Sequence, residues 1–317
     1  MESTPSPRSI KEIKAEISRL KKDKNALIMA HYYQRDEIQE IADFIGDSLA
    51  LARQAAKTDA DVIVMCGVHF MGETAKILCP DKTVLVPDLG AGCSLADSCD
   101  PEEFAEFVKS HPEHTVVSYV NTSAAVKAHT DIVVTSGNAR KIIEKLPADE
   151  KIIFGPDHNL GEYINSVTGR EMLLWNGACH VHDRFSIEKI MEMKREHPEA
   201  KVLVHPECRR PLQLIADKVG STAALLEFAE QDDAPEYIVV TESGILFEMR
   251  RKCPGKIFLS APAEDAECQC NQCEFMKMNT LEKVYEALRD GKPEITVDAE
   301  VAEKALRPIE RMLEMSE

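Results

Sequence analysis

The sequence predicts an α/β protein made of three homologous parallel-sheet, Rossmann-like units in a pseudo-threefold arrangement around a central site. Three observations carry that expectation. Short β-branched apolar runs alternate with helix-length segments along the chain, the pattern of parallel α/β architecture. A segment bracketed by polar residues recurs three times at one fixed length. Beyond the last strand of each unit the chain delivers cysteine.

Taken in order, MESTPSPRS is a short polar tail, and SIKEIKAEISRLKK reads as a packing helix with a solvated charged side, an N-terminal element over residues 1–22. The first unit, 23–108, carries the strands ALIMAHY, DVIVMC and TVLVPD. The second, 109–197, carries TVVSYVN, DIVVTS, KIIFGPD and MLLWNG. The third, 198–279, carries KVLVHPE, YIVVTE and KIFLSA. Most are continuous apolar runs, as expected of strands covered on both faces. Residues 280–317 read as two amphipathic helices joined by a short extended piece, N-capped by Thr280 and Asp298, that cover a sheet face.

The repeat has a fixed step. His31 to Ser48, Tyr119 to Ser136 and His205 to Thr222 are each separated by 17 positions, with Asp43, Asp131 and Asp217 five residues before the hydroxyl. Each copy starts as a strand running into a polar triplet (HYY, YVN, HPE) and ends where a helix is expected to open. Another strand, a loop with glycine (Gly72, Gly161, Gly244), a helix and a further strand follow. TVLVPDLGAGC then supplies Cys93, MLLWNGAC supplies Cys179, and KIFLSAPAEDAECQCNQC supplies a cluster of Cys268, Cys270 and Cys273.

Composition narrows the function. The chain has 317 residues, 44% hydrophobic and 29% charged, an ordinary globular profile. Its 38 basic and 55 acidic residues leave a net charge of −17, which argues against nucleic acid as a partner. With no signal peptide and no apolar run of membrane-spanning length, no membrane association is expected and a cytoplasmic location is. There, cysteines are more often metal ligands, nucleophiles or core residues than disulfides. GAGCSLAD lacks the third glycine of a dinucleotide turn.

Ligands in parallel α/β sheets bind beyond the carboxyl ends of the strands. Residues two apart on a strand share a face, so His31 with Tyr33, Tyr119 with Asn121, and His205 with Glu207 should aim into one cavity. Ser48, Ser136 and Ser221–Thr222 stand at expected helix starts, where free N–H groups attract anions such as carboxylates or phosphate; the alternative is a plain capping role. Three thiolates from three units can hold a [4Fe–4S] cluster with one iron lacking a protein ligand, an accessible Lewis acid. Zinc with three cysteines and a water fits the same count.

The motifs AHYYQ, DFIGDSLALA, CGVHFMGETAKIL, PDLGAGCSLAD, SYVNTSAAVKA, TSGNA, FGPDHNLGEYI, WNGACHVH, VHPEC, STAALLEF and CEFMKMNTLEKV occur in one order between Asn25 and Asn279. In this the sequence resembles the quinolinate synthase family. The resemblance implies a triple α/β fold around a [4Fe–4S] cluster. It also implies condensation of iminoaspartate with dihydroxyacetone phosphate to quinolinate, phosphate and water in NAD biosynthesis. An L-aspartate oxidase or dehydrogenase supplying iminoaspartate is the expected functional link.

Carried over by position, the resemblance implies Cys93, Cys179 and Cys273 as cluster ligands. It implies His31, Ser48, Tyr119, Asn121, Ser136, His205, Glu207 and Thr222 as substrate contacts, with Tyr33 in proton transfer. Glu207, the only carboxylate in the three triplets and next to His205, is the expected base. Cys268 and Cys270, separated by one residue where many members have two, read as non-ligands. Cys66 reads as core, Cys79, Cys99 and Cys253 as unpartnered, Cys208 as facing either way, His182 as near Cys179, and His158 as cavity wall. Another cluster-dependent hydro-lyase and a non-catalytic electron carrier or sensor are the rival expectations.

Overall fold

A computed structural model describes residues 9–264 and 271–317. Among these, twelve strands form three separate sheets of four. The first contains β1 (Ala26–His31), β2 (Phe44–Gly46), β3 (Val62–Cys66) and β4 (Thr83–Leu85). The second contains β5 (Thr115–Tyr119), β6 (Ile132–Val134), β7 (Ile152–Gly155) and β8 (Leu173–Leu174). The third contains β9 (Lys201–Val204), β10 (Lys218–Val219), β11 (Glu236–Val240) and β12 (Ile257–Ser260). All neighbouring strands are parallel, and the orders β2-β1-β3-β4, β6-β5-β7-β8 and β10-β9-β11-β12 are one topology used three times.

The continuous apolar runs have a direct cause. Alternate residues of each inner strand face a core private to that sheet or one core shared by all three units. Ile28 and Ala30 lie in the first private core, under Ile13, Ile17 and Leu20 of the N-terminal helix Ile10–Asp23, while Met29 faces the shared core. Val202 and Val204 pack with Ile190 of the helix Ile187–Glu196, and Leu203 faces the shared core. Val116 and Ile153 pack with Phe104 of the helix Pro101–Lys109, and Val117 and Phe154 face the shared core. Each sheet is therefore covered outside by the helix that precedes it.

β2 and β10 are absent from the sequence expectation because DFIGDS and DKVGST hold only three and two strand residues, mixed with charge and glycine. The repeated aspartates start these strands. The carboxylates of Asp43, Asp131 and Asp217 accept from the amides of Ile28, Val116 and Val202 at 2.8, 2.8 and 2.7 Å. Their own amides donate to the carbonyls of those same residues at 2.9 Å in every unit. One acidic side chain thus closes the ladder where the short strand begins.

The glycines differ from expectation. Gly72 and Gly161 lie inside the helices His69–Leu78 and His158–Thr168, where an added Cβ would meet Val86 at 2.5 Å and Leu174 at 2.6 Å. Gly244 is not their equivalent. It caps the helix Ile245–Lys252, and its Cβ would fall 2.8 Å from the Cα of Tyr33, so it lets the third unit abut the first.

In the tail, Thr280 and Asp298 cap the helices Leu281–Asp290 and Ala299–Met315 through their side chains, as expected. Ile295 between them donates to Val84 at 2.8 Å, lengthening the first sheet at its edge. Ala305, Ile309 and Met312 of the last helix enter the shared core. No described helix is long and apolar enough to cross a membrane.

Candidate active site

The carboxyl ends of the first strands place the polar triplets. His31 ends β1, Tyr119 ends β5, and His205 directly follows β9. These residues line a central cavity, joined by Tyr33, Asn121 and Glu207, by Ser48, Ser136 and Thr222, and by Cys93, Cys179 and Cys273. The triplet, hydroxyl and cysteine positions carried over from the resemblance therefore meet at one cavity.

The two histidines are set identically. The amide of Tyr33 donates to Nδ1 of His31 at 3.2 Å, and the amide of Glu207 donates to Nδ1 of His205 at 3.3 Å. A ring nitrogen that accepts is unprotonated, so Nε2 carries the proton and can donate. Burial holds both imidazoles neutral, with pKa values lowered to about 3. The Nε2 of His205 lies 3.2 Å from Ser136 Oγ.

A hydrogen-bonded chain crosses from the first unit to the second. Tyr33 Oη contacts Thr222 Oγ1 at 2.8 Å and Thr241 Oγ1 at 2.7 Å. Thr241 Oγ1 contacts His182 Nε2 at 2.8 Å, His182 Nδ1 lies 2.9 Å from Glu207 Oε2, and Tyr119 Oη donates to Glu207 Oε1. His182 also stacks on His205, with centroids 4.6 Å apart. Burial pushes both tyrosines well above their ordinary pKa and keeps them as phenols. Burial also pushes Glu207 upward, but the attraction and hydrogen bond of His182 and the hydrogen bond from Tyr119 outweigh it and hold the group below its usual value as a carboxylate.

The cysteine loops dock by one bond used three times. The first helical residue after the third strand, His69, His158 or the non-helical counterpart Ser243, donates its amide to the carbonyl two residues before a cysteine. The acceptors are Ala91, Gly177 and Asn271, at 2.7, 2.8 and 2.9 Å, before Cys93, Cys179 and Cys273. This register equates Cys273 with the other two; Cys268 and Cys270 lie outside the described residues. His158 accordingly anchors the Cys179 loop, with its Nδ1 also 3.0 Å from Gly177 O, and is not among the cavity-lining residues. Ser94 and His180, each directly after one of these cysteines, hydrogen-bond to each other.

Burial raises all three thiols, Cys93 to about 12, Cys273 to about 11 and Cys179 well above its usual range. A bound cation would bring them to the thiolate form that ligates. Among the described residues, the ligand-type atoms within 4.8 Å of one another are those of Cys179, His182 and Glu207, not the three sulfurs. A tetrahedral ion with metal–sulfur bonds near 2.3 Å would need sulfurs only about 3.8 Å apart.

Of the expected hydroxyls, Ser221 alone caps a helix. Asp47 caps the helix Ser48–Lys57 by accepting from Ala50 at 3.0 Å, and Ser221 caps Thr222–Gln231 by accepting from Ala224 at 3.3 Å. Ser48 and Thr222 are each the first helical residue and neither hydroxyl is spent on the cap; Thr222 Oγ1 instead meets Tyr33 Oη at the cavity. Ser136 opens a turn; the helix Ala139–Lys145 begins only three residues later.

Other groups were not foreseen. Lys127, wholly buried, donates from Nζ to the carbonyls of Val120, at 2.8 Å, and Thr122, on either side of Asn121. Asn121 Oδ1 is itself buried without a hydrogen-bond partner among the described residues. Asp157 and Glu242 stand buried behind Cys179 and Cys273. Aligning the strands after each repeat would have put these two acids in register. Cys208 and Cys66 pack in the outer cores of their sheets, and Cys79, Cys99 and Cys253 are buried free thiols.

Fold and site together define an enzyme with its site in a central cavity where three α/β units meet. The model of the family described as "Quinolinate synthetase A protein" matches residues 15–314. The chain is 55% identical over 300 residues to "Quinolinate synthase" of Microcystis aeruginosa (strain NIES-843 / IAM M-2473), covering 95% of this chain and 94% of that one. It is 53% identical over 314 residues to "Quinolinate synthase" of Thermosynechococcus vestitus (strain NIES-2133 / IAM M-273 / BP-1), covering 99% and 98%. Against "Quinolinate synthase" of Nostoc punctiforme (strain ATCC 29133 / PCC 73102) it is 56% identical over 302 residues, covering 95% and 93%. The chain belongs to the quinolinate synthetase A family.

Proposed function

We propose that this protein is a quinolinate synthase of NAD biosynthesis, condensing iminoaspartate with dihydroxyacetone phosphate to quinolinate, phosphate and water. The observation that carries the reading is the identical docking of three cysteine loops, one per unit, on a cavity lined by the expected binding residues. Cys93, Cys179 and Cys273 would hold a [4Fe–4S] cluster; their separation suits a polynuclear group better than one zinc ion. When bound by three protein ligands, such a cluster supplies an open Lewis-acidic iron.

The chain's own residues supply binding and proton transfer. Ser48 and Thr222, at the positive ends of ten-residue helices, bind carboxylate or phosphate oxygens, and Ser136 adds a hydroxyl oriented by His205. His31 donates from Nε2, and Asn121 Oδ1 accepts from the substrate. Glu207 already receives Tyr119 and faces His182, so it takes a substrate proton through either partner or after releasing one. Tyr33 is joined to that carboxylate through Thr241 and His182, a path for moving a proton across the cavity. Enclosure keeps water from the imine.

The location proposed is cytoplasmic, with iminoaspartate supplied by an L-aspartate oxidase or dehydrogenase. Anaerobic purification with metal and acid-labile sulfide analysis tests the reading. About four irons and four sulfides per chain are expected; a single zinc without sulfide would contradict it.

A further inference from the structure

We propose that Asp157 and Glu242 are matched positioning residues that hold Cys179 and Cys273 in ligating geometry by gripping their backbone amides. The inference rests on the reading that these cysteines carry a metal cluster.

The two acids occupy one structural position. Gly155 pairs with Ser118 and Val240 pairs with Val204, and Asp157 and Glu242 each lie two residues beyond that pair. Both are fully buried. Each divides its oxygens the same way. Asp157 Oδ2 accepts from the Cys179 amide at 2.9 Å while Oδ1 accepts from Leu160 at 2.9 Å. Glu242 Oε1 accepts from the Cys273 amide at 3.1 Å while Oε2 accepts from Gly244 at 2.7 Å. One oxygen thus holds the start of the following helix, and the other holds the cysteine.

Capping a helix does not require a buried carboxylate, since serine or threonine serves as well at far lower desolvation cost. The second oxygen explains the choice of an acid, because only a carboxylate presents two acceptors in a fixed plane. Engaged in this way, the cysteine amide cannot rotate, and the sulfur that follows it is fixed relative to the strand. Glu242 is further tied to Lys277 Nζ at 3.0 Å, and Lys277 donates to the carbonyl of Tyr33 at 2.6 Å, so the Cys273 brace also reaches the first unit's tyrosine loop. The first unit has Val68 at the equivalent position, with no acceptor, so Cys93 is not held in this way.

The test measures iron retention. Wild type, Asp157→Asn and Glu242→Gln are reconstituted anaerobically, and loss of iron to a ferrous chelator is followed by absorbance. Both variants are expected to release iron roughly 10–100-fold faster, the usual effect of removing a group that orients a metal ligand. Their metal-free forms should melt within a few degrees of metal-free wild type. Asp100→Asn, which removes an exposed carboxylate that caps the helix Pro101–Lys109 through the amides of Glu102 and Glu103, should release iron at the wild-type rate. Where an amide variant does not fold, Asp157→Glu or Glu242→Asp, which keep the charge but displace the oxygens, are expected to show the same acceleration. Wild-type release from the folded variants overturns the proposal, as does an equal acceleration in Asp100→Asn. Failure of wild type itself to hold iron would instead sink the cluster reading, and this inference with it.

Discussion

Nδ1 of His182 lies 2.9 Å from Oε2 of Glu207, with both side chains 3% exposed, so the second and third units share a buried polar pair at the cavity. With Tyr119 on the other oxygen, Glu207 is the group through which the three units' polar residues communicate. Glu207→Gln keeps the shape but turns one acceptor into a donor facing Tyr119 or His182. The expected result is a cluster-replete protein that binds substrate and turns over roughly 10²–10⁴-fold more slowly. Single-turnover quinolinate formation with supplied iminoaspartate measures it; near-normal turnover would move the base to His205 or Tyr33.

The cysteine loops make a sharper claim. Cys93→Ser, Cys179→Ser and Cys273→Ser should each abolish the brown chromophore and activity, because on the proposed reading each removes one of three cluster ligands. Cys268→Ser and Cys270→Ser should keep iron near the wild-type content. Loss of the cluster in Cys270→Ser with retention in Cys273→Ser would show that the matching dock at Asn271 does not mark the ligand.

Capping and binding fall on adjacent residues, which allows them to be separated. Ser48→Ala and Thr222→Ala should weaken binding of phosphate or quinolinate with little change in melting temperature, since Asp47 and Ser221 hold the caps. Ser221→Ala should instead cost about 1 kcal/mol of stability, the ordinary value of a lost cap. Titration calorimetry paired with thermal melts distinguishes the two; unchanged affinity in Ser48→Ala and Thr222→Ala would return these hydroxyls to a structural role.

Lys127 holds the carbonyls on both sides of Asn121, so its removal should disorder that proposed substrate contact. Lys127→Met is expected to raise KM several-fold while iron content stays at the wild-type level. A change in iron content with KM unaffected would place the lysine in support of Cys93 instead.

Much of this was legible in the sequence because the repeat carries it. The step from His31 to Ser48 recurs at Tyr119 and His205, and one copy's chemistry could be read onto the others. β2 and β10 escaped because two or three residues give no period, although Asp43 and Asp217 marked their starts. Asp157 and Glu242 escaped because each lies at the end of an unremarkable apolar strand, and only the sheet register aligns them. The chain from Tyr33 through Thr241 and His182 to Glu207 joins residues as far apart in sequence as positions 33 and 241, and no local pattern announces such contacts. The role of His158 was misread for a similar reason: its backbone amide and ring both hold Gly177, a contact made across a loop.

The most direct measurement is quinolinate formation from freshly generated iminoaspartate and dihydroxyacetone phosphate, under anaerobic conditions, by protein before and after iron removal. The account predicts quinolinate and inorganic phosphate in equal amounts from the cluster-replete protein, loss of both on chelation, and recovery on reconstitution with iron and sulfide. Quinolinate formation that survives complete iron removal, or its absence from protein holding a full cluster, would contradict the account.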